Sequence, residues 1–165
     1  MLKPERIWYL SCQAHRKGLR PVARMLKALN YALYKCLLPC EADIQPDIRL
    51  KHLALGVVIH PQVTIGKNCL IHHAVNIAAE SAVGSKHRVT IGNNVVIGVG
   101  AILIGNEHGG IYIGDGARIG AGAVVTQSVP AGQTIVASPA RPVRMESSAP
   151  KAHAEPKAPV KLTVE

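Results

Sequence analysis

The chain has 165 residues, which is enough for one ordinary domain with short extensions. It contains no Phe and one Trp although 48% of its residues are hydrophobic, which argues against a bulky aromatic core and for thin aliphatic layers. The formal net charge of +9 would allow nucleic-acid binding on charge alone. No recognition motif accompanies it, so we expect no nucleic-acid partner.

A basic arm, residues 1–40, opens the chain and holds eight Lys and Arg against one Glu. Between residues 22 and 37 apolar side chains recur at steps of three and four. We therefore predict helix over residues 5–37, divided near Gly18 and Pro21. The apolar face is expected to pack on the body of the protein or on a neighbouring subunit. Contact with an anionic membrane surface is the alternative.

Targeting signals and disulfides are not expected. The first residues lack an apolar run long enough for a signal peptide, and no run has membrane-spanning length. The four cysteines lack the spacing of a disulfide framework, which favours reduced thiols in a cytoplasmic protein, either free or peripheral at the inner membrane face. Residues 145–165, rich in Pro, Ala, Lys and Glu, are predicted to form a disordered tail.

A six-residue period dominates the central domain, residues 41–144. Helices repeat every 3.6 residues and strands every two, so neither produces this period. A parallel β-helix does, because each hexapeptide forms one strand and one turn, and three hexapeptides make one coil. Longer steps after Val83 and after Leu103 predict surface loops. The period is carried by Ile59, Ile65, Ile71, Ile77, Val83, Ile91, Ile97, Leu103, Ile113, Ile119 and Val125.

Four stretches of this domain point to a family: RLKHLALGVVIHPQVTIGKNC, KHRVTIGNNVVIGVGA, IGDGARIGAGAVVTQSVPAG and ASPARPVR. They resemble the serine O-acetyltransferase-like branch of the hexapeptide-repeat acyltransferases, and the basic arm resembles that of polysaccharide-associated members. The resemblance implies a mostly β fold, a left-handed parallel β-helix with an N-terminal helical arm, assembled as a homotrimer. It also implies that acetyl-CoA lies in a cleft between subunits and that the acetyl group passes directly to an acceptor hydroxyl.

The resemblance assigns catalytic roles to three residues. His52 matches the general base, a role that suits imidazole because it titrates near neutral pH. His87 matches a second active-site histidine that contacts the acceptor. Asp43 is the candidate for the aspartate that orients the base. One departure is that HLALG has three residues between His52 and the glycine, where the family usually has two.

Binding roles follow from the same resemblance. Backbone amides of Val99 and Ala121 match positions that hold the pantetheine arm, where Gly100 and Gly120 allow close approach, and Arg118 is assigned to the same cofactor. Lys86 falls where the serine enzymes place an arginine that binds the acceptor. Lys51 replaces an acidic residue that helps to bind the amino group of serine, and this argues against serine as the acceptor.

The sequence therefore predicts an acetyl-CoA-dependent O-acetyltransferase whose acceptor is a glycan, a sugar hydroxyl of a surface polysaccharide or its precursor. Serine O-acetyltransferase of cysteine biosynthesis is the alternative, and a non-catalytic solenoid scaffold stays open. A carbonic-anhydrase-like metalloenzyme would need histidines five residues apart and a third from upstream. The spacings of His52 with His60 and of His72 with His73 do not match, so we expect no converging imidazoles and no metal.

Overall fold

The computed structural model describes residues 2–79, 87–105 and 109–141. Short parallel strands follow two helices within these ranges. The elements are α1 (Pro4–Arg16), α2 (Arg20–Tyr34), β1 (Asp43–Ile44), β2 (Arg49–Leu50), β3 (Val58–Ile59), β4 (Val63–Ile65), β5 (Leu70–Ile71), β6 (Asn76–Ala79), β7 (Val89–Ile91), β8 (Val96–Ile97), β9 (Ile102–Gly105), β10 (Ile111–Ile113), β11 (Arg118–Ile119), β12 (Val124–Val125) and β13 (Thr134–Ile135).

The strands form three parallel sheets that close a triangular solenoid. Sheet 1 has the order β1-β4-β7-β10, sheet 2 the order β13-β11-β8-β5-β2, and sheet 3 the order β12-β9-β6-β3. Each of the first four coils thus contributes one strand to every sheet, and β13 of the last, partial coil joins sheet 2. This arrangement confirms the predicted left-handed parallel β-helix with an N-terminal helical arm.

The predicted six-residue period marks the inner face of the solenoid. Ile65 pairs with Ile91, and Ile71 with Ile97, so that equivalent side chains stack from coil to coil. These side chains are at most 1% exposed. The period also begins earlier than the sequence analysis found, because Ile44 pairs with Ile65 and Leu50 with Ile71.

One predicted member of the ladder, Val83, stays a prediction. β4 is hydrogen-bonded directly to β7, so Ile91 follows Ile65 in sheet 1. Val83 itself lies outside the described residues, as do the disordered tail predicted for residues 145–165 and part of each predicted surface loop.

The helical arm divides as predicted, with α2 beginning one residue before Pro21. The side of α2 that packs on α1 carries Ala23, Asn30 and Tyr34, and the Asn30 side-chain amide donates to the Pro4 carbonyl at 3.0 Å. The predicted apolar stripe lies on the other side. Met25 is 61% exposed and Leu33 is 58% exposed, so the body of this chain does not cover the stripe.

Two expectations about the chain as a whole can be compared with the structure. All four cysteines are unpaired and buried, in agreement with reduced thiols. Among the described residues, the helices are too short and too polar to span a bilayer.

Candidate active site

One corner of the solenoid, where the chain passes from sheet 2 to sheet 3, gathers most of the predicted site. We call it the histidine corner, and it comprises residues 51–56, 72–75, 98–101 and 120–123. Leu50, Ile71, Ile97 and Ile119 are in register across sheet 2. The residues two positions further on in the last three of these coils, His73, Val99 and Ala121, are stacked, because the Gly100 N–H donates to the His73 carbonyl and the Gly122 N–H to the Val99 carbonyl. In the coil before them Leu55 takes this position, since the Ala74 N–H donates to its carbonyl, and His52 lies in the residues that lengthen the turn.

His52 stands on a left-handed turn. The φ angles of His52, Leu53 and Ala54 are 50°, 55° and 59°, a region that costs a residue with a Cβ about 1–2 kcal/mol. The step between inward residues here is nine, from Leu50 to Ile59, because the turn of Lys51–Ala54 and the following residues fill the corner. Backbone strain of this kind is concentrated at functional sites.

Hydrogen bonds fix this turn on both sides. The Leu55 N–H donates to the His52 carbonyl at 3.2 Å, and the Ala74 N–H of the next coil donates to the Leu55 carbonyl at 2.8 Å. The Gly56 N–H donates to the Lys35 carbonyl at 3.3 Å, which ties the turn to the end of the arm. Neighbouring structure thus holds a backbone conformation that the local sequence disfavours.

Three histidines converge at this corner. The His52 ring lies edge-on to the His73 ring with centroids 4.7 Å apart, and 6.4 Å from the His72 ring. One ring nitrogen from each residue lies within 4.8 Å of the others. The expectation that no imidazoles converge is therefore wrong, because it compared spacings along the chain and the β-helix stacks residues 21 positions apart.

Two members of the histidine cluster (His52, His72 and His73) have unusual surroundings. Burial lowers the pKa of His72, and the neighbouring His52, Lys51 and His73 lower that pKa further. Within the described ranges, the buried Nδ1 of His73 has no hydrogen-bond partner. In its neutral form an imidazole can accept a proton or bind a metal ion.

The two predicted amide positions lie further along the same corner. The Gly122 N–H donates to the Val99 carbonyl at 2.9 Å, but in the part of the chain that the structure describes the N–H groups of Val99 and Ala121 have no acceptor. Val99 is 37% exposed, so its amide is within reach of a ligand at the surface. Arg118 is exposed in β11, three residues before Ala121.

Both predicted glycines also have a reason within the fold. Gly100 has a φ of +66° in a tight turn and open space where a Cβ would point. At Gly120 a Cβ would lie 3.0 Å from the Ile135 carbonyl oxygen of the next coil. The fold explains both glycines whether or not a cofactor approaches them.

The remaining predicted residues lie elsewhere. His87 is half-buried and precedes β7, at the corner between sheets 3 and 1. Asp43, in β1 of sheet 1, forms an exposed ion pair with Arg16 at 2.8 Å and so faces the arm. Lys86 lies outside the described residues. Within a single chain, sheet 3 separates the corner that holds His87 from the histidine corner.

His72 and His73 are not among the predicted site residues. The signal that could have found them is their position directly after the inward Ile71, since Lys51 and His52 directly follow the inward Leu50 in the same way. The comparison of these two pairs can be made only when the six-residue period is extended back to Leu50.

Known proteins resemble this chain along most of its described length. The family described as hexapeptide repeat of succinyl-transferase matches residues 88–127. A serine acetyltransferase of Helicobacter pylori is 33% identical over 129 residues, which cover 78% of this chain and 72% of that protein. The chain belongs to the serine acetyltransferase family. It spans about half the length of other curated family members that it matches, 50% and 57% in two of them.

Solved structures of family members agree in fold. Soybean serine acetyltransferase complexed with serine has a TM-score of 0.69 and 34% identity, covering 84% of this chain and 54% of that one. The enzyme of Brucella abortus, in complex with coenzyme A, has a TM-score of 0.67 and 25% identity, covering 82% of this chain and 52% of that one. The chain therefore shares the fold of the serine acetyltransferases.

These relatives contradict the expected sugar acceptor and its polysaccharide-associated branch, because by name they acetylate serine. The alternative, serine, fits better. The argument from Lys51 failed because it rested on one side chain, in a corner where the step between inward residues is nine. Lys51 is exposed at the start of the left-handed turn, where one side chain does not decide the acceptor.

Proposed function

We propose that this chain transfers the acetyl group of acetyl-CoA to the hydroxyl of serine, with His52 as general base. The observation that carries the proposal is that the His52 ring lies 4.7 Å from the His73 ring, on the corner where His73, Val99 and Ala121 are stacked, in a chain of the serine acetyltransferase family.

The chemistry follows from this arrangement. The neutral imidazole of His52 takes the proton of the serine hydroxyl as that oxygen attacks the thioester carbonyl. Amide N–H groups stabilise the oxyanion that forms. The intermediate then collapses, the carbon–sulfur bond breaks, and the proton passes to the departing thiolate to give CoA and O-acetylserine. Transfer is direct, with no acyl-enzyme.

The amide assignments are supported by unused hydrogen-bonding capacity. The N–H groups of Val99 and Ala121 have no acceptor among the described residues, and both residues belong to the histidine corner. A carbonyl-rich pantetheine arm laid along the corner would satisfy them. Arg118, exposed in β11, is proposed to meet the charged end of the cofactor.

A homotrimer would complete the site. His52 and His87 lie at different corners of one chain, so a neighbouring subunit packed beside the histidine corner is needed to bring a His87 close to a His52. Lys86 is proposed to act beside His87 on the acceptor. Asp43 is a weaker candidate for orienting His52, because its ion pair with Arg16 holds it toward the arm.

Release of CoA thiol from acetyl-CoA tests the reaction, with serine, nucleotide sugars and oligosaccharides as acceptors. We expect turnover with serine, and a fall of about 10²- to 10⁴-fold in kcat/KM for His52→Ala. The matched control is His60→Asn, outside the corner, whose side-chain oxygen can still accept the Gln62 N–H that His60 Nδ1 accepts at 3.2 Å. Turnover with sugars and none with serine would refute the proposal.

Subunit complementation tests the shared cleft. His52→Ala and His87→Ala proteins are each expected to be inactive. When they are unfolded together and refolded, mixed trimers contain clefts with both histidines intact, so part of the activity returns. Failure to regain activity, with mixed assembly shown by mass spectrometry, would place both histidines in the same subunit's site.

A further inference from the structure

We propose that His52, His72 and His73 together bind a divalent transition-metal ion of the zinc class. The ring nitrogens of the three residues already lie within 4.8 Å of one another. Tetrahedral zinc with imidazole nitrogens at 2.0–2.1 Å requires ligand atoms about 3.3 Å apart. His52 is exposed, so a change of its side-chain rotamer closes the remaining gap.

The donor set selects the metal. Three imidazoles without a carboxylate suit zinc, cobalt, nickel or copper, whereas magnesium and calcium prefer oxygen ligands. Three protein ligands also leave a fourth position open, as in zinc sites that bind a water or a small ligand. Since the histidine cluster lies at a surface corner, an ion can enter it from solvent.

An unpaired ring nitrogen favours an ion. The buried Nδ1 of His73 lacks a hydrogen-bond partner within the described ranges, and a bound ion would supply one. Lys51 opposes a cation, but this side chain is exposed and solvent screens its charge.

Thiols do not compete for the ion near neutral pH. All four cysteines are buried. Burial raises the pKa of Cys12 to about 12 and of Cys36 to about 11, and it also raises the pKa of Cys69. The thiolate, not the thiol, is the metal ligand. The imidazole cluster is therefore the favoured site.

If His52 is the general base of the proposed function, the ion and the reaction exclude each other. A lone pair bonded to a metal cannot accept the serine proton. Bound zinc would then suppress acetyl transfer reversibly, and a chelator would restore it. This consequence rests on the proposed function, whereas metal binding itself does not.

Titration of the untagged chain with cobalt(II) alone, without acetyl-CoA, tests the inference. We expect one ion per chain and the visible absorption of tetrahedral cobalt without the near-ultraviolet bands of cobalt–thiolate bonds. His72→Ala and His73→Ala should each weaken binding by at least about 100-fold, more than loss of an outer-shell partner costs. His60→Asn is the matched control and should bind as the unmodified chain does.

Outcomes separate the two proposals. Absence of tetrahedral cobalt absorption, or equal weakening by His60→Asn and His72→Ala, would overturn the metal site whatever the activity shows. Circular dichroism of each variant establishes that it is folded. Cobalt binding in a chain that never releases CoA with serine would refute the proposed function and leave the metal site standing. Zinc inhibition that His72→Ala abolishes while serine turnover persists would support both.

Discussion

The helical arm and the β-helix both carry a regular apolar pattern, but only the β-helix covers its own. Ile97 and Leu103 are fully buried inside the coils, whereas Met25 and Leu33 of α2 are more than half exposed. Each coil packs on the next coil, so neighbouring repeats bury one another's apolar side chains. Within the arm α2 packs on α1, and the exposed residues of its apolar stripe face outward. A periodic pattern thus predicts which side is apolar and leaves open what covers it.

Truncation inside the coils should have the largest effect. Ile97→Ala removes a fully buried side chain with ladder neighbours above and below and should cost about 2–5 kcal/mol in the free energy of unfolding. Leu33→Ala in the arm should cost less than about 0.5 kcal/mol, because the side chain is exposed. Urea unfolding measures both. Equal losses would mean that the stripe is covered in solution.

The glycines sharpen the same comparison. A Cβ at Gly98 would lie 2.6 Å from the Ala121 backbone nitrogen of the next coil, so Gly98→Ala should cost about 2–3 kcal/mol. Gly18, between the two helices of the arm, has a φ of +78° and open space beside it. Gly18→Ala should cost only about 1 kcal/mol, from the backbone conformation. Thermal unfolding ranks the two, and the reverse order would contradict close stacking of the coils.

The left-handed turn joins the two regions, and Leu53→Gly should relieve part of its strain. Leu53 has a φ of 55° and is exposed, so we expect a gain of about 0.5–1 kcal/mol in unfolding free energy. Leu55→Gly is the matched control, since Leu55 is also exposed but has a φ of −51°. It should lose about 0.5–1 kcal/mol. A loss at both positions would show that the turn is not strained.

The ion pair between Arg16 and Asp43 links arm to coil and should have the smallest effect. Both side chains are about half exposed, and solvent screens such pairs. Arg16→Ala should therefore change the unfolding free energy by less than about 1 kcal/mol, and the change should shrink further in high salt. Urea unfolding at low and high ionic strength measures it. A larger, salt-independent loss would show that the arm is clamped by this contact.

Much of the fold was predictable because the six-residue period is a property of one coil repeated. The described inward positions from Ile59 to Val125 follow from it, and Val83 lies outside the described residues. The helices were predictable from their own spacing and from Pro21. The outward direction of the α2 stripe was not, because helical periodicity carries no information about which neighbour an apolar face meets.

The candidate site was predictable only in part. A family motif singled out His52, but the cluster with His72 and His73 depends on the register between coils, which hydrogen bonds across sheet 2 set. The left-handed turn could not be foreseen either, since Leu53 and Ala54 disfavour that conformation locally and hydrogen bonds from Ala74 and to Lys35 impose it. Neither the histidine cluster nor the left-handed turn can be predicted from the residues near His52 alone.

The corner at residues 51–56 also bears on how such a chain tolerates insertions and deletions. One residue added within a strand would turn every following side chain to the opposite face. Here three residues beyond the hexapeptide length are accommodated between Leu50 and Ile59, yet Ile59 keeps its pairing with Ile77. The corner therefore accommodates extra residues without a change in strand register. A library of turn lengths between Leu50 and Val58 should reposition the base while the ladder stays unchanged.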